Sequence, residues 1–285
     1  MSNNVITYYI VDAFTSKPFG GNPAGVVLLD DVFPEVELMS KIATELRYSE
    51  TAFVIQHSKK EYTIRYFTPN NEVNLCGHAT IASFSLLKKI KNASKECLCH
   101  TKAGDINIVC GDRVMIQMIS PQIEKDILDN EEDEIYHAIG LYGYKPYLPL
   151  KIITTGLSDI MIQVPDVVTL NSLRPDMELV SGILTKHNTV SIHVFALSND
   201  GFTAHVRNFS PLYGIPEESA TGTSNASLTH YLHSLNVISG VGDYSFIQGE
   251  IMGRSSIVLT QIDNHNKISV GGHAVIVAKG ELLYN

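Results

Sequence analysis

The chain has 285 residues, of which 44% are hydrophobic and 18% charged, a composition that excludes long disorder and has room for two domains. Its formal net charge of −9 offers no basic surface for nucleic acid or for an anionic membrane. The sequence has no signal-peptide pattern at its start, no apolar run of the roughly 18–20 residues that span a bilayer, and only four cysteines. We therefore expect a reduced, soluble, cytoplasmic protein.

In chain order, most segments predict short strands. Apolar spacing predicts helices over residues 34–46, 78–89 and 223–235, and the acidic stretch 124–134 predicts an exposed loop or helix start. The β-branched or alternating segments that predict strands are residues 6–12, 51–55, 61–67, 105–109, 152–155, 159–164, 190–197, 203–208, 256–261 and 273–278.

The two halves of the chain repeat one pattern. Arg65-Tyr-Phe-Thr-Pro69 precedes Gly77 and a helix, and Arg207-Asn-Phe-Ser-Pro211 precedes Gly222 and a second helix. A further echo places Ser49-Glu50 ahead of one strand and Ser158-Asp159 ahead of another. Two copies of one strand-and-helix unit would each bury a core and leave a cleft between them.

Both Gly–helix junctions have a possible chemical use. The first N–H groups of a helix lack partners within the helix, and the helix dipole adds partial positive charge there. The two junctions, residues 77–79 and 222–224, therefore predict a cradle for a carboxylate or an enolate oxygen that needs no Lys or Arg.

Two side chains near these junctions are candidates for proton transfer. Glu50 stands directly before an apolar strand, where a carboxylate can be partly buried and suited to proton shuttling, although an exposed charge is more common there. His78 follows Gly77 and is a second proton carrier, a ligand-orienting donor or simply a helix residue satisfied by a neighbour.

Metal and nucleotide motifs are absent from the sequence. It has no phosphate-binding loop, no nucleophile elbow, no H-E-x-x-H and no dinucleotide fingerprint, so we predict no cofactor. Cys97 and Cys99 are too closely spaced for a usual zinc corner and share one face of a predicted strand, which indicates buried thiols and no metal site.

The motifs together resemble the phenazine-biosynthesis PhzF-like isomerases. The resemblance covers the whole chain, and its most specific stretches are residues 12–26, 49–54, 65–69, 76–80, 218–223 and 270–275. It implies the α+β diaminopimelate-epimerase-like fold, in which two pseudo-symmetric domains each curl a mixed, barrel-like sheet around a central helix. The domains are expected at 1–120 plus 270–285 and at 121–269.

The resemblance also implies a function. It makes the chain a biosynthetic, cofactor-free isomerase, often a homodimer, that moves a proton on a small carboxylate-bearing metabolite in the cleft between its domains. Glu50 is then the general acid/base, with His78 and Glu218 beside it. The substrate-binding positions are Asn22, Ser49, Gly77, Ala79, Gly222 and Thr223.

Two alternatives stay open. A racemase or epimerase of the same fold needs two facing thiols, and this chain has Cys76 before the first Gly but Thr221 before the second. A ligand-binding protein without turnover is favoured by Glu218, because the biosynthetic member of the family has Asp at that place.

Overall fold

The computed structural model describes residues 4–284, which form two compact units: 4–117 with 271–284, and 118–270. Residues 4–117 contain two helices, α1 (Val36–Leu46) and α2 (Gly77–Lys91), and eight strands: β1 (Asn4–Ala13), β2 (Asn22–Leu29), β3 (Thr51–Gln56), β4 (Glu61–Phe67), β5 (Glu72–Val73), β6 (Glu96–Thr101), β7 (Gly104–Cys110) and β8 (Val114–Gln117).

Residues 118–284 contain four helices, ten strands and a short 3₁₀ turn at Pro211–Tyr213. The helices are α3 (Asp129–Ala138), α4 (Val167–Ser172), α5 (Met177–His187) and α6 (Gly222–Ser234). The strands are β9 (Gln122–Asp126), β10 (Lys151–Thr154), β11 (Ser158–Gln163), β12 (Ser191–Leu197), β13 (Ala204–Ser210), β14 (Ile215–Glu218), β15 (Gly242–Gln248), β16 (Ser256–Ile262), β17 (Ile268–Gly272) and β18 (Ala274–Tyr284).

The first unit is an open mixed sheet curled around α2. Its strands run in the order β18-β1-β2-β3-β4-β6-β7-β8, and the pairs β2–β3 and β4–β6 are parallel. Helix α2 contacts strands near both ends of that order, so the sheet wraps around it. The wrapping explains why α2 has small and apolar residues on nearly every face, with Ala79, Ile81, Ala82 and Phe84 fully buried.

The second unit repeats this order over seven strands. Its strands run β9-β10-β11-β12-β13-β15-β16, with β11–β12 and β13–β15 parallel, and α6 packs against β9, β10, β11 and β16. Even the ion pairs recur: Arg65 binds Glu72 through two hydrogen bonds of 2.8 and 2.9 Å, and Arg207 binds Glu217 through two of 2.8 Å. The pseudo-symmetric α+β architecture predicted from the sequence is confirmed.

The three predicted helices correspond to α1, α2 and α6, but three further helices did not give an apolar pattern strong enough to be predicted. The acidic stretch 124–134 forms the exposed strand β9 and the start of α3. Helices α4 and α5 begin after Asp166 and Asp176, whose carboxylates accept hydrogen bonds from the amides of Thr169 and of Glu178 and Leu179. Those aspartates were the local signal for both helices. Within residues 4–284, no helix is long and apolar enough to cross a membrane.

Candidate active site

Glu50 is placed by the turn between α1 and β3. Helix α1 ends at Leu46. Its C-terminal capping residue, Arg47, adopts a left-handed conformation with φ of 59° and turns the chain toward the sheet. The backbone carbonyl of Glu50 then accepts a hydrogen bond of 3.1 Å from the Gly25 amide on β2. Gly25 allows this approach, because a Cβ there would lie 2.7 Å from the Thr51 Oγ1. The backbone of Glu50 is thus fixed on the parallel β2–β3 ladder.

His78 lies against the carboxyl group of Glu50. Its Nε2 is 3.4 Å from the Glu50 Oε2 and 3.3 Å from the Ser49 Oγ. The side chain of His78 is 9% exposed and that of Glu50 is 18% exposed. The Cys76 Sγ lies 3.3 Å from Nδ1 and 4.0 Å from Nε2 of the same ring. The Glu50 Oε2 is buried and has no hydrogen-bond partner within the described residues. The structure therefore brings together four side chains from two segments, Ser49-Glu50 and Cys76–His78.

Burial controls the charge of His78. Removal of the imidazole from water lowers its pKa below the ordinary value of 6.5, and the neighbouring Glu50 carboxylate opposes that shift only partly. A neutral ring with its hydrogen on Nε2 can donate to the Ser49 Oγ, and its Nδ1 can accept from the Cys76 thiol. His78 is thereby a neutral ring beside the Glu50 carboxylate.

The start of α2 is open beside this cluster. Cys76 is the residue that caps the helix with an extended backbone, and Gly77 is the first helical residue. A Cβ at Gly77 would meet no atom within 4 Å, so a ligand can approach the backbone there. Ala79 is fully buried in the first turn of α2, and Asn22 is buried at the start of β2.

In the second unit, α6 begins at Gly222 with Thr221 as its capping residue. Thr221 thus corresponds to Cys76, as the sequence comparison predicted. The buried Gln248 fixes this junction: its Oε1 accepts from the Thr221 amide at 3.1 Å, and its Nε2 donates to the Glu218 carbonyl at 2.9 Å. Gln248 had no sequence signal, because it lies on β15, far along the chain from the loop that it holds.

Glu218 and Thr223 are half-buried residues on either side of that junction. Glu218 ends β14 opposite Asn208, while its neighbour Glu217 is the residue that pairs with Arg207. The position of Glu218 in the repeat corresponds to Val73 in the first unit, since Tyr66 pairs with Val73 as Asn208 pairs with Glu218.

The predicted correspondence between Glu50 and Asp159 is wrong. Asp159 lies on β11, which pairs with β10 and β12 as β2 pairs with β1 and β3. Strand β11 therefore corresponds to β2, whereas Glu50 directly precedes β3. The fully buried carboxyl of Asp159 instead accepts a hydrogen bond of 2.6 Å from the Ser191 hydroxyl, and burial raises its pKa to about 7 against smaller opposing effects of the Ser191 and Ser224 hydroxyls. The sequence echo was local, whereas the strand pairing decides which residues correspond.

Two surface depressions of the first unit lie apart from this cluster. One of about 310 Å³ is lined by residues that include Tyr9, Ile90 and Lys279, and the other by residues that include Lys88 and His273. Neither is lined by a predicted site residue.

Comparison with known proteins identifies the family. The model of the phenazine biosynthesis-like protein family matches residues 11–280. The chain is 33% identical to an uncharacterized isomerase of Clostridium acetobutylicum, over 97% of this chain and 98% of that one, and 33% identical to the uncharacterized isomerase YddE of Escherichia coli O157:H7, over 96% and 97%. The crystal structure of the Bacillus anthracis phenazine biosynthesis protein of the PhzF family matches it with a TM-score of 0.88 and 28% identity, covering 99% of this chain and 100% of that chain.

The fold and these relatives define the chain as an isomerase. It belongs to the phenazine biosynthesis-like protein family, as the sequence motifs predicted.

Proposed function

We propose that this isomerase needs no cofactor and that the Glu50 carboxylate moves a proton on a small carboxylate-bearing metabolite. The observation that carries the proposal is the Glu50 Oε2, a buried carboxylate oxygen without a hydrogen-bond partner in the described chain, 3.4 Å from a neutral imidazole. An unengaged, partly desolvated carboxylate is a good general base because no hydrogen bond has to be broken before it takes a proton.

The proposed reaction has two half-steps. Glu50 removes a proton from a carbon next to an unsaturated or carbonyl group, and the C–H electron pair is delocalised into that group. The protonated Glu50 then returns the proton at another carbon of the same molecule. The His78 Nε2 lies 3.4 Å from the Glu50 carboxyl, and the Ser49 hydroxyl lies 3.3 Å from the same ring nitrogen.

The negative charge of the substrate is met by helix N-termini in this proposal. The amides at the start of α2 are accessible at Gly77, and those at Gly222 and Thr223 start the corresponding α6. We further propose that the two helix starts serve one substrate in a cleft between the units, with Glu218 and Asn22 beside it. This arrangement is supported by the matched repeats, each of which carries a Gly at the start of its central helix.

The two-thiol racemase is disfavoured by Thr221, because a threonine hydroxyl is too weak an acid to replace a thiol near neutral pH. A binding protein without turnover would keep the pocket and would not need Glu50.

A substrate screen in D₂O tests the proposal. Unsaturated and hydroxylated small carboxylates are incubated with the protein, and NMR follows both formation of an isomer and the position of deuterium. We expect an isomer that forms with the wild type and not with Glu50→Gln, although Glu50→Gln still binds the compound. Equal turnover by both proteins would overturn the role of Glu50.

A further inference from the structure

The strongest additional feature of the molecule is the donor set around His78. Glu50, Cys76 and His78 each offer one atom, an oxygen, a sulfur and a nitrogen, and these atoms all lie within 4.8 Å of one another. We propose that the three residues form a binding site for a thiophilic divalent cation such as Zn²⁺, and that a bound ion blocks the Glu50 base. The inhibition of Glu50 by the ion rests on the proposed function, whereas the binding of the ion does not.

The distances suit a tetrahedral ion. Metal–ligand distances near 2.0 Å to nitrogen and oxygen and 2.3 Å to sulfur separate neighbouring ligand atoms by about 3.3–3.6 Å. The Glu50 Oε2 and the His78 Nε2 are already 3.4 Å apart, and the Cys76 Sγ lies 4.0 Å from that nitrogen. A small rotation of the Cys76 side chain would complete three corners of the tetrahedron.

The chemistry of the ligands also fits. Zinc is bound in proteins by imidazole nitrogen, thiolate sulfur and carboxylate oxygen, and these are the three ligand types that converge here. The Glu50 Oε2 is a buried oxygen with no hydrogen bond to lose. Three protein ligands leave a fourth position, beside the open space at Gly77, for water or a ligand carboxylate.

Other histidine clusters in the described chain lack this convergence. His100 lies between Asp105 and Glu61, and its two ring nitrogens face a different carboxylate each, at 2.7 and 3.1 Å. His205 is held in the same way, with Glu250 on one nitrogen and Asp200 on the other. Carboxylates that face the two different nitrogens of one ring cannot bind the same ion. We therefore expect no metal binding at His100 or His205.

An ion at this site would inhibit catalysis by occupying the reactive groups. The Glu50 oxygen that would take the proton becomes a metal ligand, and the His78 Nε2 no longer supports it. The protein would therefore work as the metal-free form and lose turnover when zinc binds.

Titration of the purified full chain with Co²⁺ tests the binding without any substrate. We expect one equivalent to give a thiolate-to-cobalt charge-transfer band with strong tetrahedral visible bands, and Zn²⁺ to displace the cobalt. Cys76→Ser should remove the charge-transfer band, while Cys99→Ala, which changes a buried thiol on β6, should keep it. Glu50→Gln should keep the band and weaken binding roughly tenfold or more.

No charge-transfer band in a wild type that is folded by circular dichroism, or a band that survives in Cys76→Ser, would overturn the site. If Cys76→Ser fails to fold, the affinity change in Glu50→Gln decides the question: an unchanged affinity refutes the site. In the activity assay, stoichiometric Zn²⁺ should abolish turnover and a chelator should restore it; an active zinc form refutes the inhibition. Absence of any Glu50-dependent turnover in metal-free protein would refute the proposed function and leave the cobalt result standing.

Discussion

Ser191 occupies in the second unit the sheet position that Glu50 occupies in the first. Glu50 stands three residues before Phe53, the strand partner of Arg65, and Ser191 stands three residues before Val194, the partner of Arg207. The two arginines begin the same repeated motif, so the register relates the two positions directly. One repeat therefore carries a carboxylate where the other carries a hydroxyl.

Glu50→Gln should reduce turnover by about 10²–10⁴-fold while the protein stays folded and binds ligand, because glutamine keeps the size of the side chain and cannot accept the proton. The measurement is the rate of isomer formation by NMR. Glu61→Gln is the matched control, since that half-exposed carboxylate contacts His100 and not His78. A comparable loss in both variants would contradict a specific role for Glu50.

Cys76→Ser should retain turnover within about tenfold, because in the proposed mechanism the thiol only contacts the His78 Nδ1 and takes no proton from the substrate. A hydroxyl can make the same contact. The same kinetic assay decides between mechanisms: a two-thiol racemase would lose essentially all activity in this variant.

Gly77→Ala should leave the fold stable and impair ligand binding. A methyl group at Gly77 meets no protein atom within 4 Å, and alanine favours a helix by about 1 kcal/mol over glycine. The added methyl would, however, stand where a ligand approaches the amides of α2. Gly182→Ala in α5 is the control, because it adds a methyl to an equally open helical position away from the site. Thermal melting and KM should separate the two variants; an unchanged KM in Gly77→Ala would show that no ligand binds there.

Asp159 and His193 should cancel each other in the pH dependence of stability. Both are fully buried and are linked through Ser191 and Asn208, whose Nδ2 lies 2.7 Å from the Ser191 Oγ and 3.1 Å from the His193 Nδ1. Burial raises the pKa of Asp159 from 3.8 to about 7, so the folded state holds an extra proton and its stability falls as pH rises through that window. Burial lowers the pKa of His193 from 6.5 to about 3, so the unfolded state holds the extra proton and stability rises with pH.

Asp159→Asn should remove one half of this balance. When the pH is raised from about 4.5 to about 6.5, the free energy of unfolding of the variant should increase by about 2–3 kcal/mol more than that of the wild type. The reason is that only His193 then titrates, and each pKa unit corresponds to about 1.4 kcal/mol. Urea unfolding at both pH values measures the difference, with Asp31→Asn in an exposed loop as control. A variant that follows the wild-type pH dependence would show that Asp159 does not hold the proton.

The two repeated ion pairs should differ in their contribution to stability. Arg207 is 7% exposed and also donates to the Leu170 and Leu173 carbonyls, whereas Arg65 is 26% exposed. Glu217→Gln leaves a buried cation unpaired and should lower the free energy of unfolding by about 3–5 kcal/mol. Glu72→Gln should lower it by about 1–2 kcal/mol. Urea denaturation of both variants measures this, and equal losses would contradict the assignment of the cost to burial.

Much of the fold follows from the sequence because the repeated motif is local. The spacing from Arg65 to Gly77 and from Arg207 to Gly222 predicted both central helices within one residue of their starts. The pairing of β11 with β12 was not predictable, because a parallel pair depends on contacts across the intervening helices α4 and α5. Ser158-Asp159 was therefore matched to the wrong strand.

The candidate site shows the same limit. Glu50 and His78 were predicted from their places before a strand and after a glycine. The 3.4 Å approach of the His78 Nε2 to Glu50, and the Cys76 thiol within 4.0 Å of the same ring, follow from the packing of β3 against α2. Gln248 acts on a loop about thirty residues earlier, and no periodic pattern signals such a contact.

The pairing of β18 with β1 has a consequence for biosynthesis on the ribosome. The first unit obtains this strand from residues 274–284, which pair with residues 4–13. All of residues 118–270 are synthesised before that strand, so the second unit can complete its sheet while the first still has β1 exposed along one edge. The order of domain completion during translation is thus the reverse of the order in the gene, and the nascent first unit is the part that chaperones would have to protect.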